Sequence, residues 1–363
     1  MMEMLNADQE VLSRLFQGCL VGTAVGDSLG LPAENLSAGT VRRRWKGRWK
    51  GRWKQGFLFK YGMVSDDTEH SVLLGRALMK HPRDVAAFRK EFAGSLRWWL
   101  LGLPAGIGMA TLKSIVRLWF GVSPERSGVF SAGNGPAMRV AAVGIFFADD
   151  VERLGQYVRA ATRMTHSDPK AVVGAMAVAM TAAHLARFAM GREGASLPSF
   201  EDWAAVGGED ADWQRLMEAM RESRGKGDSV QEFACSLGLR KGVSGYMYHT
   251  VPVCLYALLH HEGDFKGGMG AVLYLGGDTD TTGAIYGALA GMRGEVPDEW
   301  VKGIKDFPVS IAFLEELARG LAQAAASGEA VMPRRFPWFA VPFRNALFLV
   351  VVFVHCFRRI VPF

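Results

Sequence analysis

Through most of this chain the apolar residues recur three and four positions apart, the interval that gathers one face of an α-helix. Leu12, Leu15, Phe16, Cys19 and Leu20 form the first such face, and Gly18, Gly22 and Gly26 add a stripe that lets a neighbouring helix approach closely. The pattern predicts a core helix over 11–25 that ends at the Gly26-Asp27 turn. Val72, Leu73, Leu78 and Met79 predict a second helix, and residues 84–120 read as helices rich in aromatics, with Trp98, Trp99 and Trp119, broken by the glycines of 102–108. Further helical runs follow in the alanine-rich stretch 171–190, at Trp213, Leu216, Met217 and Met220, over 253–259, and at Ile285, Ala288, Leu289 and Met292. Alternating patterns are scarce, so the fold class is all-α. No uninterrupted apolar span approaches the roughly 20 residues that a bilayer crossing needs.

Composition narrows the class without naming the chemistry. With 363 residues, 49% of them apolar and 21% charged, the chain can bury a large core and does not resemble a disordered protein. Cys19, Cys235, Cys254 and Cys356 form no CxxC pair, and residues 1–10 carry acids with no apolar core, so reduced thiols and a cytoplasmic setting are expected. The net charge of +6 is local: eight basic residues and no acid lie between Arg42 and Lys54, and without them the chain is slightly acidic. That stretch is a tandem repeat, Arg44-Trp45-Lys46-Gly47, Arg48-Trp49-Lys50-Gly51, Arg52-Trp53-Lys54-Gln55, whose tryptophans would align on a helix. Interleaved cations and aromatics also suit single-stranded nucleic acid, an acidic partner or a membrane surface. The reading adopted is a repeat expansion over 42–55 in a surface loop, with no nucleic-acid partner.

Residues 191–245 turn to glycine, serine and charge and read as an inserted surface excursion, which leaves 1–330 as a single domain. In the tail, 331–363, nine apolar residues from Ala346 to Val354 precede His355, Arg358 and Arg359. Docking on the domain is the first expectation. Peripheral membrane attachment by Phe343, Phe348, Phe353 and Phe357, with the arginines at headgroups, is the second.

The candidate chemistry concentrates in Gly276-Gly277-Asp278-Thr279-Asp280-Thr281-Thr282-Gly283, which places two carboxylates and three hydroxyls at a helix entrance, with Thr281 or Thr282 as the expected cap. Two positions apart, Asp278 and Asp280 converge only where the backbone is still a turn, which the glycines permit. Ser65-Asp66-Asp67-Thr68 repeats the arrangement before the second helix, and Glu34 offers a further carboxylate. Clustered carboxylates with hydroxyl oxygens are hard ligands and favour magnesium or manganese over zinc or copper. His70, one turn beyond Asp66, reads as a polar helix-face residue. The turn Gly133-Asn134-Gly135 stands at a helix start, where backbone amides can bind phosphate.

Five blocks, Gly26-Asp27 to Glu34, Ser65 to Thr68, Gly133 to Arg139, Thr165-His166-Ser167-Asp168 and Gly277 to Gly283, occur in the order and spacing of the ADP-ribosylglycohydrolase family, which the chain resembles over roughly 12–300. That resemblance implies a compact orthogonal multi-helix bundle, active as a monomer, that hydrolyses the bond from ADP-ribose to a protein side chain. It implies two Mg2+ ions, or Mn2+, held by Ser65, Asp66, Asp67, Asp278, Asp280 and Thr281, with Asp280 bridging. Asp66 or Asp67 would take the water proton, and Glu34 would gate the metal or assist as base. Gly133, Asn134 and Gly135, with Met138 and Arg139, would cradle pyrophosphate, and His166 would contact the distal ribose and phosphate. The substrate implied is an ADP-ribosylated protein, arginine favoured. Serine linkages, small conjugates or a non-catalytic ADP-ribose-binding role remain the alternatives.

Overall fold

The glycine stripe lies on the helix around which the others assemble. The computed structural model describes residues 2–49 and 61–360, and among these the helices are α1 (Met2–Gly30), α2 (Ala38–Trp49), α3 (Asp66–Lys80), α4 (Val85–Leu101), α5 (Met109–Trp119), α6 (Ala141–Phe146), α7 (Val151–Arg163) and α8 (Pro169–Ala189). They continue with α9 (Phe200–Gly207), α10 (Ala211–Lys226), α11 (Val230–Ser236), α12 (Met247–His260), α13 (Phe265–Leu273), α14 (Thr279–Ala290), α15 (Asp298–Gly303), α16 (Ile311–Ser327) and α17 (Val341–Ile360). The all-α expectation holds. Among the described residues strand pairing is confined to one short antiparallel ribbon and a few isolated bridges, the ribbon joining β1 (Leu36–Ser37) and β2 (Gly276–Gly277) through Leu36 opposite Gly277 and Ser37 opposite Gly276.

α1 packs among α14, α16, α3 and α6. A Cβ on Gly18, Gly22, Gly26 or Gly30 would collide with the carbonyl of Gly291, Gly287, Gly283 or Thr279 in turn, so α1 and α14 run antiparallel with their backbones in contact. Such proximity allows dispersion and Cα–H···O contacts that a side chain would prevent. The stripe therefore continues the helix where the pattern led us to end it: α1 runs through Asp27 to Gly30. Around this pair, Phe16, Leu20, Val72, Leu74, Leu314 and Leu321 are fully or almost fully buried. Each such side chain removed from water contributes about 1.5–3 kcal/mol.

Two other expectations change. Residues 191–245 hold three helices, not one, and Trp203 and Trp213 are buried, with Trp203 Nε1 donating to Thr181 Oγ1 at 2.8 Å and Trp213 Nε1 to the Trp203 carbonyl at 2.7 Å. The tail forms a 20-residue helix that reaches well beyond its nine-residue apolar core, with Arg344 bonded to Asp306 and Asn345 to the Gly102 carbonyl. By length and composition both Pro169–Ala189 and Trp338–His355 suffice to cross a membrane, yet the first is 61% buried in the protein and the second only 28%. The backbone of α2 carries the basic repeat as far as Trp49, and residues 50–60 lie outside the described residues.

Candidate active site

Two helix entrances meet beside the end of α1. At the first, Ser65 caps α3, its Oγ accepting from Asp67 N at 3.4 Å and donating to Asp67 Oδ2 at 3.1 Å. At the second, Gly276 and Gly277 adopt φ of 71° and 85°, backbone that only glycine holds without strain, and a Cβ on either would strike the chain at 36–38 or at Val243. Val243 fixes this turn from both sides, its N donating to the Gly276 carbonyl and its carbonyl accepting from Asp278 N at 2.8 Å. The helix cap is Asp278, with no side-chain capping bond, and not Thr281 or Thr282, which lie inside the first turn. Asp278 makes no capping bond and lies close enough to Asp280 for its charge to add to burial in raising that carboxyl. Thr281 Oγ1 donates to Asp67 Oδ2 at 3.4 Å and joins the two entrances.

Asp27, a residue for which no role was expected, ties them to α1. Its Oδ2 accepts from Ser65 N at 2.8 Å, Thr68 Oγ1 at 2.6 Å and Thr68 N at 3.3 Å. A charged residue inside a glycine-striped apolar face was the available signal, because such a group is rarely buried without a task. Glu34 follows the 3-10 turn Leu31–Ala33, and the bond from Asn35 N to the Gly277 carbonyl at 2.8 Å holds its segment against β2. Its carboxylate accepts from Asn35 Nδ2 at 3.0 Å.

The pocket is electrostatically strained. Burial first, and then the negative charge of neighbouring carboxylates, pushes Asp66, Asp67 and Asp280 well above the usual carboxylate range. Burial raises Asp27 to about 6, against the lowering effect of the Thr68 and Ser65 bonds. Asp27 Oδ1, Asp67 Oδ1 and Asp280 Oδ1 are buried with no hydrogen-bond partner. Such oxygens call for protons or for a cation. No group of three His, Cys, Asp or Glu side chains among the described residues closes into a ready coordination shell. The donor set is nonetheless all oxygen and includes the hydroxyls of Ser65 and Thr281, so it fits a hard divalent cation.

The loop 133–135 also faces this region. Asn134 Nδ2 donates to Asp278 Oδ2 at 2.7 Å and to Thr250 Oγ1 at 3.0 Å, so Asn134 holds a carboxylate, and Thr250 is a further residue not anticipated. Gly245 lies over the same pair, for a Cβ there would stand 3.0 Å from Asp278 Oδ2. Two amides of the loop are engaged, Gly133 N by Ser131 Oγ at 3.3 Å and Asn134 N by the Gly245 carbonyl at 2.9 Å. His166 packs beneath the glycines, 3.0 Å from a Cβ on Gly133 and 3.3 Å from one on Gly135. Burial, and then Arg139, lowers His166 to about 3, so its ring is neutral near pH 7.

Met138 and Arg139 are buried below the loop, so neither side chain is open to a ligand here. Arg139 donates to the Ala161 carbonyl at 3.0 Å and to Thr165 Oγ1 at 2.7 Å, and stands 3.2 Å from His70 Nδ1. His70 is wholly buried against Trp99 and is a framework residue, not a polar residue on a helix face.

The family model for ADP-ribosylglycohydrolase matches residues 7–330. The chain is 31% identical over 312 residues to an uncharacterized protein of Archaeoglobus fulgidus, covering 84% of this chain and 95% of that one. It is 28% identical to the ADP-ribosyl-[dinitrogen reductase] glycohydrolase of Rhodospirillum rubrum, over 78% and 88% of the two chains, and 26% identical to the ADP-ribosylhydrolase ARH3 of Gallus gallus, over 80% and 89%. A solved ADP-ribosylglycohydrolase-related protein superposes with a TM-score of 0.59 at 26% identity, covering 87% of this chain and 99% of the other. An acidic pocket built from two helix entrances thus sits inside a matched domain, and the chain belongs to the ADP-ribosylglycohydrolase family of enzymes, which hydrolyse the glycosidic bonds of ADP-ribose.

Proposed function

We propose that this enzyme releases ADP-ribose from arginine side chains of modified proteins, depends on magnesium or manganese, and so reverses ADP-ribosylation. The observation that carries the reading is the join between the entrances, where Thr281 Oγ1 meets Asp67 Oδ2 among carboxylates whose outer oxygens lack partners. Ser65, Asp66, Asp67, Asp278, Asp280 and Thr281 would hold two divalent cations there, which supply Lewis acidity and charge neutralisation. Asp66 or Asp67 takes a proton from water as the water oxygen bonds to the anomeric carbon and the bond from that carbon to the guanidinium nitrogen breaks. Positive charge growing on the sugar is stabilised by the same carboxylates, and the neutral guanidine released by the bond cleavage takes up the proton that the carboxylate accepted from water, which regenerates the carboxylate and gives guanidinium as product. Glu34 assists as base or gates access. Asn134 keeps Asp278 aimed at the pocket through its 2.7 Å bond, and the Gly133–Gly135 turn over His166 receives the ADP moiety.

Arginine is the linkage favoured by the resemblance of the five motif blocks, and the Rhodospirillum rubrum relative, named as a glycohydrolase of ADP-ribosyl-dinitrogen reductase, supports a modified protein as substrate. Serine linkages stay as the second reading, since the same family resemblance covers them and the printed name of the Gallus gallus relative, an ADP-ribosylhydrolase, specifies no linkage. Cys19, Cys235 and Cys254 are free thiols, and a cytoplasmic setting is part of the proposal. Release of ADP-ribose from arginine-linked and serine-linked peptides, assayed with magnesium, with manganese and with chelator, tests the reading. Faster metal-dependent release from arginine is expected, and a preference for serine would overturn the linkage assigned.

A further inference from the structure

α17 is apolar on both sides: Val341, Phe348 and Val351 are buried against the protein, so Phe348 does not join the outward phenylalanines, and a second apolar stripe faces away from it. Its polar side chains turn inward: Arg344 is 8% and Asn345 1% exposed, and His355 Nε2 stands 3.1 Å from the Pro32 carbonyl. Arg344 donates to Asp306 Oδ1 at 2.9 Å and to the Val64 carbonyl at 2.5 Å and pairs with Glu69 at 3.4 Å, while Asn345 Nδ2 donates to the Gly102 carbonyl at 2.7 Å. The outward side carries Phe343, Leu347, Val350, Phe353 and Phe357, continued backward by Phe339, and these six are 57–78% exposed. They recur every three or four residues and so form one continuous stripe. A surface helix of a protein that meets only water carries polar side chains on that side instead.

The inward bonds hold this orientation in place. Rolling the helix to hide its stripe would carry Arg344 away from Asp306 and Glu69, leaving those carboxylates buried without their cationic partner. The charge pattern then indicates what covers the stripe. After Glu329 the chain contains five arginines and no acidic residue, with Arg334 and Arg335 exposed before the helix and Arg358-Arg359 at its end. The helix also lies beyond residue 330, where the family match stops. We propose that α17 is a peripheral anchor that lies in the plane of an anionic phospholipid surface, with Phe343, Phe353 and Phe357 in the acyl layer and the flanking arginines at headgroup phosphates. It does not cross the bilayer, because its inner face remains bonded to the protein. Since Arg344 holds the carbonyl of Val64, the residue before Ser65, the anchor also fixes how the active-site entrance is presented near that surface.

Flotation of the full chain with vesicles tests this. Binding to vesicles of phosphatidylcholine with phosphatidylglycerol is expected to exceed binding to phosphatidylcholine alone and to weaken with salt. The combined variant Phe343→Asp, Leu347→Asp, Phe353→Asp is expected to lose roughly tenfold or more of that binding, with melting temperature and ADP-ribose hydrolysis retained. Arg358→Glu with Arg359→Glu is expected to remove the preference for the anionic lipid. Absence of wild-type flotation on anionic vesicles would overturn the proposal. So would a wild-type dimer that the triple variant converts to monomer without any vesicle binding, because a second copy would then be what covers the stripe.

Discussion

The two entrances that form the acidic pocket are alike in composition and opposite in construction. At α3 side chains do the holding: Ser65 caps the helix, and Asp27 takes three bonds from Ser65 and Thr68. At α14 the backbone does it, through two left-handed glycines, the ribbon with Leu36 and Ser37, and the paired bonds to Val243. Asp278 and Asp280 therefore carry less of the structural load. A carboxylate that is not needed for capping is free to serve as a ligand, so the α14 pair should be more purely functional and the α3 segment both functional and structural.

The largest effects should separate these roles. Asp278→Asn and Asp280→Asn are each expected to lower kcat by on the order of a thousandfold, with circular dichroism and melting temperature unchanged or, in metal-free protein, improved by loss of a buried charge. Asp67→Asn should lose as much activity and also disturb the contacts from Ser65 and Thr281. Near-normal turnover in Asp280→Asn with unchanged metal affinity would dissolve the contrast.

A smaller effect sharpens the α14 side. Asn134→Ala removes the donor that orients Asp278 and is expected to weaken metal binding roughly ten- to a hundredfold, read by calorimetry, while leaving stability close to that of the parent.

The α3 side carries a pH signature. Because burial raises Asp27 to about 6, the folded protein keeps this proton over a range where the unfolded chain, at an ordinary aspartate value near 4, has released it. Its contribution is present below the unfolded value and is lost as pH rises toward 6. Metal-free wild type should thus lose stability relative to Asp27→Asn between about pH 4 and 6 and level off above. Saturating magnesium should diminish the loss, since a cation favours the ionised form. Denaturant melts of both proteins across that window check this, and parallel curves would return Asp27 to a neutral packing role. Smallest of all, Ser65→Ala should cost about 1 kcal/mol through loss of the cap, measured by the same melts.

Much of this was legible because it is local. The two acidic motifs, the glycine stripe and most helices announce themselves through spacing within about ten residues. What escaped depends on partners distant in sequence. Gly26 reads as a helix stop in isolation, and only the backbone of α14 against it explains why α1 continues to Gly30. The cap moved from Thr281 to Asp278 because Val243, from a segment read as a surface excursion, holds Asp278 N. Arg139 sits in a motif that resembles a ligand loop, but Thr165, Ala161 and His70 enclose it. α17 looked like a short apolar run, whereas the division between its buried face and its outward stripe appears only once Arg344 finds Asp306.

The central claim is that the two entrances form one divalent-cation site. Titration of metal-free protein with Mg2+, and separately Mn2+, by isothermal calorimetry tests it most directly. Two ions per wild-type chain are expected, with that binding lost in Asp280→Asn. Absence of binding in the wild type, or unchanged stoichiometry and affinity in the variant, would contradict it.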